Sequence, residues 1–220
     1  MQRFAAAAAL AGARLDGREP HGLCETVLER RRGDVLMVRR GEALVLGLLR
    51  AVEEGKNEKE GEEEEEAELP IRCQIAGTAR VDPGRKRALL SAMSILNSHV
   101  KVPKGRELLV TVIADAPTTL SAISVIVHKI LESSSSDFLL LSAHLLSSKD
   151  DQRTGVWIMD ATVAEVTHAT GEVLVGLNHE GEALDIRLDG MARVHQETLT
   201  EGVRACLEGG LALWAQLGTL

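Results

Sequence analysis

Aromatic residues are nearly missing: the chain of 220 residues has two Phe, two Trp and no Tyr. A core must then be built from Leu, Val, Ile and Ala, and a nucleic acid would be held by charge and backbone contacts rather than by bases stacked on exposed rings. Cysteine is scarce as well. Cys24, Cys73 and Cys206 lie far apart, with no CxxC pair and no His at metal-ligand spacing. That pattern argues against a zinc site or a disulfide framework and for reduced, buried thiols in an intracellular protein. No metal and no cofactor are expected. No run approaches 18 consecutive apolar residues, so no membrane span is expected. The start, Met-Gln-Arg-Phe followed by Ala5 to Ala9 and Leu10, has too weak an apolar stretch and too few basic residues for a signal or transit peptide. An N-terminal helix suits it better.

Positive charge looks deficient, with a net charge of −8, but the deficit is local. Residues 53–68 hold ten Glu and two Lys, which leaves 23 acidic and 23 basic residues in the rest of the chain. The folded body is formally neutral. The acidic run reads as a disordered, self-repelling surface loop inserted in one domain spanning 1–220. It is either a solvated loop or an electrostatic element that repels RNA or competes with it for a basic patch.

Hydrophobic residues make up 45 % of the chain, enough for a sizeable core. The organising stretch is 107–131. Leu108 to Ala114 is an apolar, β-branched run that breaks at Asp115-Ala116-Pro117, and Leu120, Ile123, Val127 and Ile130 then recur at three- and four-residue spacing. This predicts a buried strand, a tight turn and a buried helix. Asp115 and Thr118 are candidate caps, and Pro117 suits the first helical turn. Both elements are apolar on nearly all sides, so more sheet and more helix must cover them.

Around this unit the pattern predicts a strand over Leu23 to Glu29 and a hairpin of Val35 to Val38 with Ala43 to Leu49, turning at Arg39-Arg40-Gly41-Glu42. Ile71, Cys73 and Ile75 alternate with Arg72 and Gln74 as in a half-buried strand. Arg85 to Val100 reads as a helix with a basic first turn, and Phe138 to Leu146 as a buried segment. A strand at Val156 to Met159, a hairpin of Val173 to Leu177 with Ala183 to Leu188, and a helix from Thr198 to Leu217 follow. Gly209-Gly210 is expected to bend or break that helix. Hairpins mixed with long helices indicate an α+β fold of two similar halves.

Five collinear motifs give this pattern a family likeness. Arg14-Leu-Asp-Gly-Arg18 resembles the opening R-x-D-G-R of the RNase PH family, the phosphorolytic 3′-to-5′ exoribonucleases and their relatives in the RNA exosome ring. The hairpin from Gly33-Asp34 to Gly41-Glu42-Ala-Leu-Val-Leu is similar to G-S-x-L-V-x-x-G-x-T-x-V. Gly84-Arg85 is similar to the G-G-R that opens a helix, Leu109 to Ile123 to V-L-Q-A-D-G-G-T-R-T-A-S-I, and Ile158-Met159-Asp160 with Glu165 to L-D-x-x-x-x-E-D. The resemblance implies an RNase PH-like (ribosomal protein S5 domain 2-like) α+β fold with two similar sheet-and-helix halves.

The departures from those motifs bear on activity. In active members the resemblance puts phosphate on the arginine of G-G-R and on the Thr-Arg of D-G-G-T-R. Arg85 and Thr118 match, but the second arginine is replaced by Thr119, and Ala116 and Pro117 stand for the two glycines. A threonine hydroxyl is a poor substitute for a charged, bidentate fork at a dianion. The carboxylate pair reads Glu165-Val166, with Glu172 roughly where a second catalytic acid would lie. The expectation is a non-catalytic exosome ring subunit that supports 3′-to-5′ RNA processing and degradation. Its implied partners are other RNase PH-like ring subunits, S1 and KH cap subunits, associated exosome nucleases and RNA, in nucleus, nucleolus and cytoplasm.

Arg85, Lys86, Arg87, Arg39 and Arg40 are the candidate RNA-binding cations, with Arg30 to Arg32 as possible channel or interface charges. Each basic turn also fits an ordinary solvated surface. Arg14, Asp16 and Arg18 read as structural ion pairs, His128 as a core or interface residue, and Asp160 as structural. Two other readings stay open: a working phosphorolytic enzyme with Arg85, Thr118, Asp160 and Glu172 as a rearranged site, and an unrelated α+β scaffold that binds through its acidic loop.

Overall fold

The computed structural model describes residues 8, 11–12, 14, 16–52, 70–76, 83–131, 137–147, 155–190 and 194–218. The expected N-terminal helix and the acidic segment 53–68 lie almost wholly outside these. The first sheet contains β1 (Thr26–Arg30), β2 (Leu36–Arg40), β3 (Ala43–Ala51), β4 (Ile71–Ile75) and β5 (Arg106–Ala114), in the order β1-β2-β3-β5-β4. The first three strands form an antiparallel meander. The β2–β3 turn is only Gly41-Glu42, with Arg39 and Arg40 inside the strand and Gly41 taking a φ of 55°. β4 runs parallel to β5, as a crossover through α1 (Pro83–His99) requires. Burial along β4 alternates as expected, with Ile71 buried and Arg72 and Gln74 exposed.

β3 and β4 flank β5, so Ala51 lies opposite Arg106 on one side and Ile71 opposite Leu108 on the other. Glu107 between them contacts Arg50 of β3 at 2.6 Å and Arg72 of β4 at 3.3 Å.

The second sheet contains β6 (Leu139–Ser147), β7 (Gly155–Met159), β8 (Gly171–Leu177) and β9 (Ala183–Asp189), in the order β7-β6-β8-β9 and antiparallel throughout. α2 (Thr119–Ile130) packs on β2, β3 and β5 of the first sheet and on β6 of the second. Residues 119–127 of α2 are all buried, which is why its sequence is apolar or small all round. Gly47 lets it approach β3: a Cβ there would stand 2.3 Å from Ile126 Cγ2. The expected central strand–turn–helix unit is thus the joint between the two halves.

Two details of that unit differ from expectation. The helix starts at Thr119, so Pro117 precedes it instead of lying in its first turn. Asp115 does not cap it. The Ala116 N–H donates to Thr119 Oγ1 at 2.9 Å, and the Thr119 N–H donates back to the Ala116 carbonyl at 3.0 Å.

The long C-terminal helix α4 (Gln196–Leu217) covers β6, β7 and β8 and runs through Gly209-Gly210 without a break. The glycines serve contact. A Cβ on Gly210 would lie 2.2 Å from Leu177 Cδ1, and one on Gly202 would lie 2.5 Å from the Trp157 ring. A short helix α3 (Val163–Val166) follows β7, started by a capping box between Thr162 and Glu165. No helix of the described residues is long and apolar enough to cross a membrane.

Candidate functional site

Arg14 ties the N-terminal segment, and Arg40 the first sheet, to the second half of the chain. Arg14 is buried and places its fork on Glu165, with Nε 3.1 Å from Oε1 and Nη2 2.9 Å from Oε2. It also donates to the carbonyls of Met159 and Asp160. Glu165 is 1 % exposed and accepts from the Thr162 N–H as well, so its carboxylate is fully occupied by structural partners. Arg18 pairs with Asp16 at 2.5 Å. Burial pushes the Asp16 carboxyl up, but its hydrogen bonds from Arg18 and the charges of Arg14 and Arg18 bring it below the usual range. Ion pairs hold the N-terminal segment, as expected.

Arg40 corrects an expectation. Instead of facing RNA it is fully buried, with Nη2 2.6 Å from Asp160 Oδ2, Nε donating to Ser121 Oγ and Nη1 to Thr26 Oγ1. Strand alternation decides this: Arg39 points out and Arg40 points inward, where an unpaired guanidinium would be prohibitive. Asp160 also accepts from the Cys24 N–H at 2.8 Å and contacts its Sγ at 3.1 Å. Burial first, then the Asp160 charge, pushes the Cys24 thiol up to about 12.

A cleft of about 630 Å³ opens where the sheets meet, with Arg85, Asp115, Ala116 and Pro117 from the first half and His144, Glu172 and Asp189 among its lining from the second. Here the residues matched to the phosphate site come into view. Arg85 faces Asp115 at 3.3 Å and donates to the Ala116 carbonyl at 2.7 Å. Thr118 and Thr119 are buried; Thr118 donates its hydroxyl to the Arg40 carbonyl, and Thr119 Oγ1 is held by the Ala116 N–H. The cation is countered by a neighbouring carboxylate and both hydroxyls are engaged within the fold.

The other wall is acidic. Strand register places Asp189 of β9, Glu172 of β8 and His144 of β6 in one cross-strand row. His144 is 4 % exposed, and its Nε2 lies 3.7 Å from Glu172 Oε1. Burial pulls the imidazole pKa below its usual value, and the nearby Glu172 only partly opposes this. The sequence reading singled out Glu172 but missed His144 and Asp189, which become neighbours only through the pairing of β6, β8 and β9.

Of the other expected RNA-binding cations, Lys86 and Arg87 are exposed on the first turn of α1 and Arg39 is exposed on β2. His128, on α2, stacks edge-on against Trp214 of α4, with ring centroids 4.6 Å apart. Among the described residues no group of three His, Cys, Asp or Glu is placed to hold a metal ion.

Two sheets joined by a buried helix, with a cleft at their junction, constitute the RNase PH-like α+β fold. Solved structures of that fold match over nearly the whole chain. Rice (Oryza sativa) Rrp46 superposes with a TM-score of 0.63 at 15 % identity, covering 93 % of this chain and 96 % of Rrp46. An archaeal exosome core chain gives 0.64 at 10 % identity, with 99 % and 96 % covered. The Archaeoglobus fulgidus exosome with RNA bound to its active site gives 0.64 at 11 % identity, with 98 % and 96 % covered. No family model and no curated protein matches the sequence.

Proposed function

We propose that this chain is a non-catalytic ring subunit of a eukaryotic RNA exosome, contributing shape and RNA contacts to 3′-to-5′ RNA processing and degradation. The observation that carries the reading is the state of the phosphate site: Arg85 is countered by Asp115, while the Thr118 and Thr119 hydroxyls are turned into the fold. Phosphorolysis needs a preorganised cationic cradle for a dianionic nucleophile, and a guanidinium already paired with a carboxylate does not supply one. The likeness to exosome core chains supports assembly into such a ring. Other RNase PH-like subunits, S1 and KH cap proteins, associated nucleases and RNA are the proposed partners, in nucleus, nucleolus and cytoplasm. Lys86, Arg87 and Arg39 are the proposed contacts to the RNA backbone.

The test is native mass measurement of the tagged protein purified from its own cells, with the co-purifying chains identified and a phosphate-dependent nuclease assay on the isolated chain. A stoichiometric complex with several RNase PH-like chains, and no release of nucleoside diphosphates from RNA 3′ ends, is expected. Recovery alone or as a ring of identical copies refutes the subunit reading, and phosphate-dependent release refutes the non-catalytic one.

A further inference from the structure

β9 is the outer strand of the second sheet: it pairs with β8 on one side and with no described strand on the other. Its residues alternate, with Leu184, Ile186 and Leu188 on one face and Asp185, Arg187 and Asp189 on the other. Ile186 stands opposite Val175 and Leu188 opposite Val173. The apolar face of β9 therefore continues the face of β8 on which α4 packs through Leu177. That cover thins out at β9. Val173 and Val175 are fully buried, whereas Leu184, Ile186 and Leu188 are 45, 48 and 50 % exposed. A free edge with an apolar stripe is a template for another strand.

The charges on the opposite face select that strand. Side chains directly opposite in an antiparallel pair share a face, where unlike charges attract and like charges repel. Two β9 strands paired about Ile186 set Ile186 against itself, Leu184 against Leu188 and Asp185 against Arg187, the last two matches each occurring twice. Centring on Arg187 sets Arg187 against itself and Asp185 against Asp189, and centring on Asp185 sets Asp185 against itself. Centring on Leu188 matches Arg187 with Asp189 but sets Ile186 against Gly190, beyond the strand, and leaves Leu184 unmatched. The register about Ile186 satisfies both faces along the whole strand, and it reads the same from either copy, as a two-fold interface requires. Within the chain Arg187 lies 3.6 Å from Asp185, and their side chains stay 43 % and 25 % exposed, so two of each can close into an alternating square. We infer that two copies of this chain join through β9, edge to edge and antiparallel about Ile186, fusing their four-stranded sheets into one continuous sheet. The inference rests on β9 alone, independently of the cleft and of the ring-subunit reading.

Sedimentation equilibrium of the full-length protein tests this over about 1–200 µM, a range suited to so small an interface. A concentration-dependent monomer–dimer equilibrium is expected. Asp185→Arg and Arg187→Asp should each weaken it at least about tenfold, because each sets like charges opposite one another on both sides of the two-fold axis. An equimolar mixture of the two single variants should associate again, since a strand cationic at both positions then meets one anionic at both. Circular dichroism checks that each variant is folded. Ile186→Lys, at a half-exposed site on the axis, should break the pair and keeps the test open if either charge swap folds poorly. A protein that stays monomeric to about 200 µM overturns the inference, even where a different chain of the same fold binds it. So does a dimer indifferent to these variants, or a mixture that fails to associate. Each of those results leaves the ring-subunit reading standing, because the native mass of the cellular complex decides that separately.

Discussion

Substituting Asp160→Asn removes one charge from the joint between the sheets and almost no volume. Asparagine tolerates the φ of 46° that Asp160 adopts, so backbone strain does not confound the result. What remains is Arg40, 0 % exposed, with its Nη2 facing a neutral amide at the former 2.6 Å contact. Breaking a buried pair from one side costs about 3–5 kcal/mol, because the surviving charge stays buried without compensation. At about 2–4 °C per kcal/mol for a chain of this size, the melting temperature should fall by about 10 °C. Urea titration of the full-length protein followed by circular dichroism reads the same loss as a shift in midpoint at constant slope. In the double variant Arg40→Met/Asp160→Asn both charges are gone, and at least about 1 kcal/mol should return relative to Asp160→Asn alone. A loss under about 1 kcal/mol for Asp160→Asn, or a double variant equal to the sum of the singles, would refute a charge-burial account. The exposed pair Glu29–Arg31 is the control, and its removal should change stability by under about 1 kcal/mol.

Three further outcomes are expected. Gly47→Ala puts a methyl group against Ile126 and Ile130 and should destabilise by about 1–3 kcal/mol in the same urea titration; a neutral result would mean that α2 sits further from β3. The Cys24 thiol, pushed up to about 12, should be alkylated by iodoacetamide at pH 8 on the order of a thousandfold more slowly than an ordinary thiol, read by mass spectrometry of the Cys24 peptide. His144 has a depressed folded pKa, so below about pH 6.5 the unfolded chain takes up a proton that the folded chain refuses. Stability should therefore be fully present above that pH and decline on acidification, by at most about 1.4 kcal/mol per pH unit, with a shallower decline in His144→Asn.

Apolar periodicity made the central strand–turn–helix unit legible, because Leu108 to Ala114 and Leu120 to Ile130 are apolar on nearly every side. Alternation likewise revealed β4, and the N-terminal ion pairs were legible as charges packed into a turn. Their partners were not: Arg14 finds Glu165 and Arg40 finds Asp160 across more than a hundred residues, a separation that no local period encodes. Arg39 and Arg40 looked equivalent as turn residues until the two-residue turn put both in the strand and sent the second inward. Asp115 looked like a cap because short acids often are, yet Arg85 from another helix captured it. Gly209-Gly210 looked like a break, while in the fold it is a seat for Leu177. The departures from the resembled motifs could be read from the sequence, whereas the His144–Glu172–Asp189 row required the pairing of three strands.

The flanking of β5 by β3 and β4 reaches beyond the sheet. The acidic segment leaves from the end of β3 and returns at the start of β4, with β5 between its two anchor points. Strands two places apart are about 10 Å from each other, so the segment is fastened at both ends to nearly one spot, and Glu107 clasps Arg50 and Arg72 on either side of it. For an insertion between anchors this close, doubling its length would add only about 0.6 kcal/mol of closure cost. The described ends of β3 and β4 therefore form a junction at which the sheet would accept a connection of almost any length.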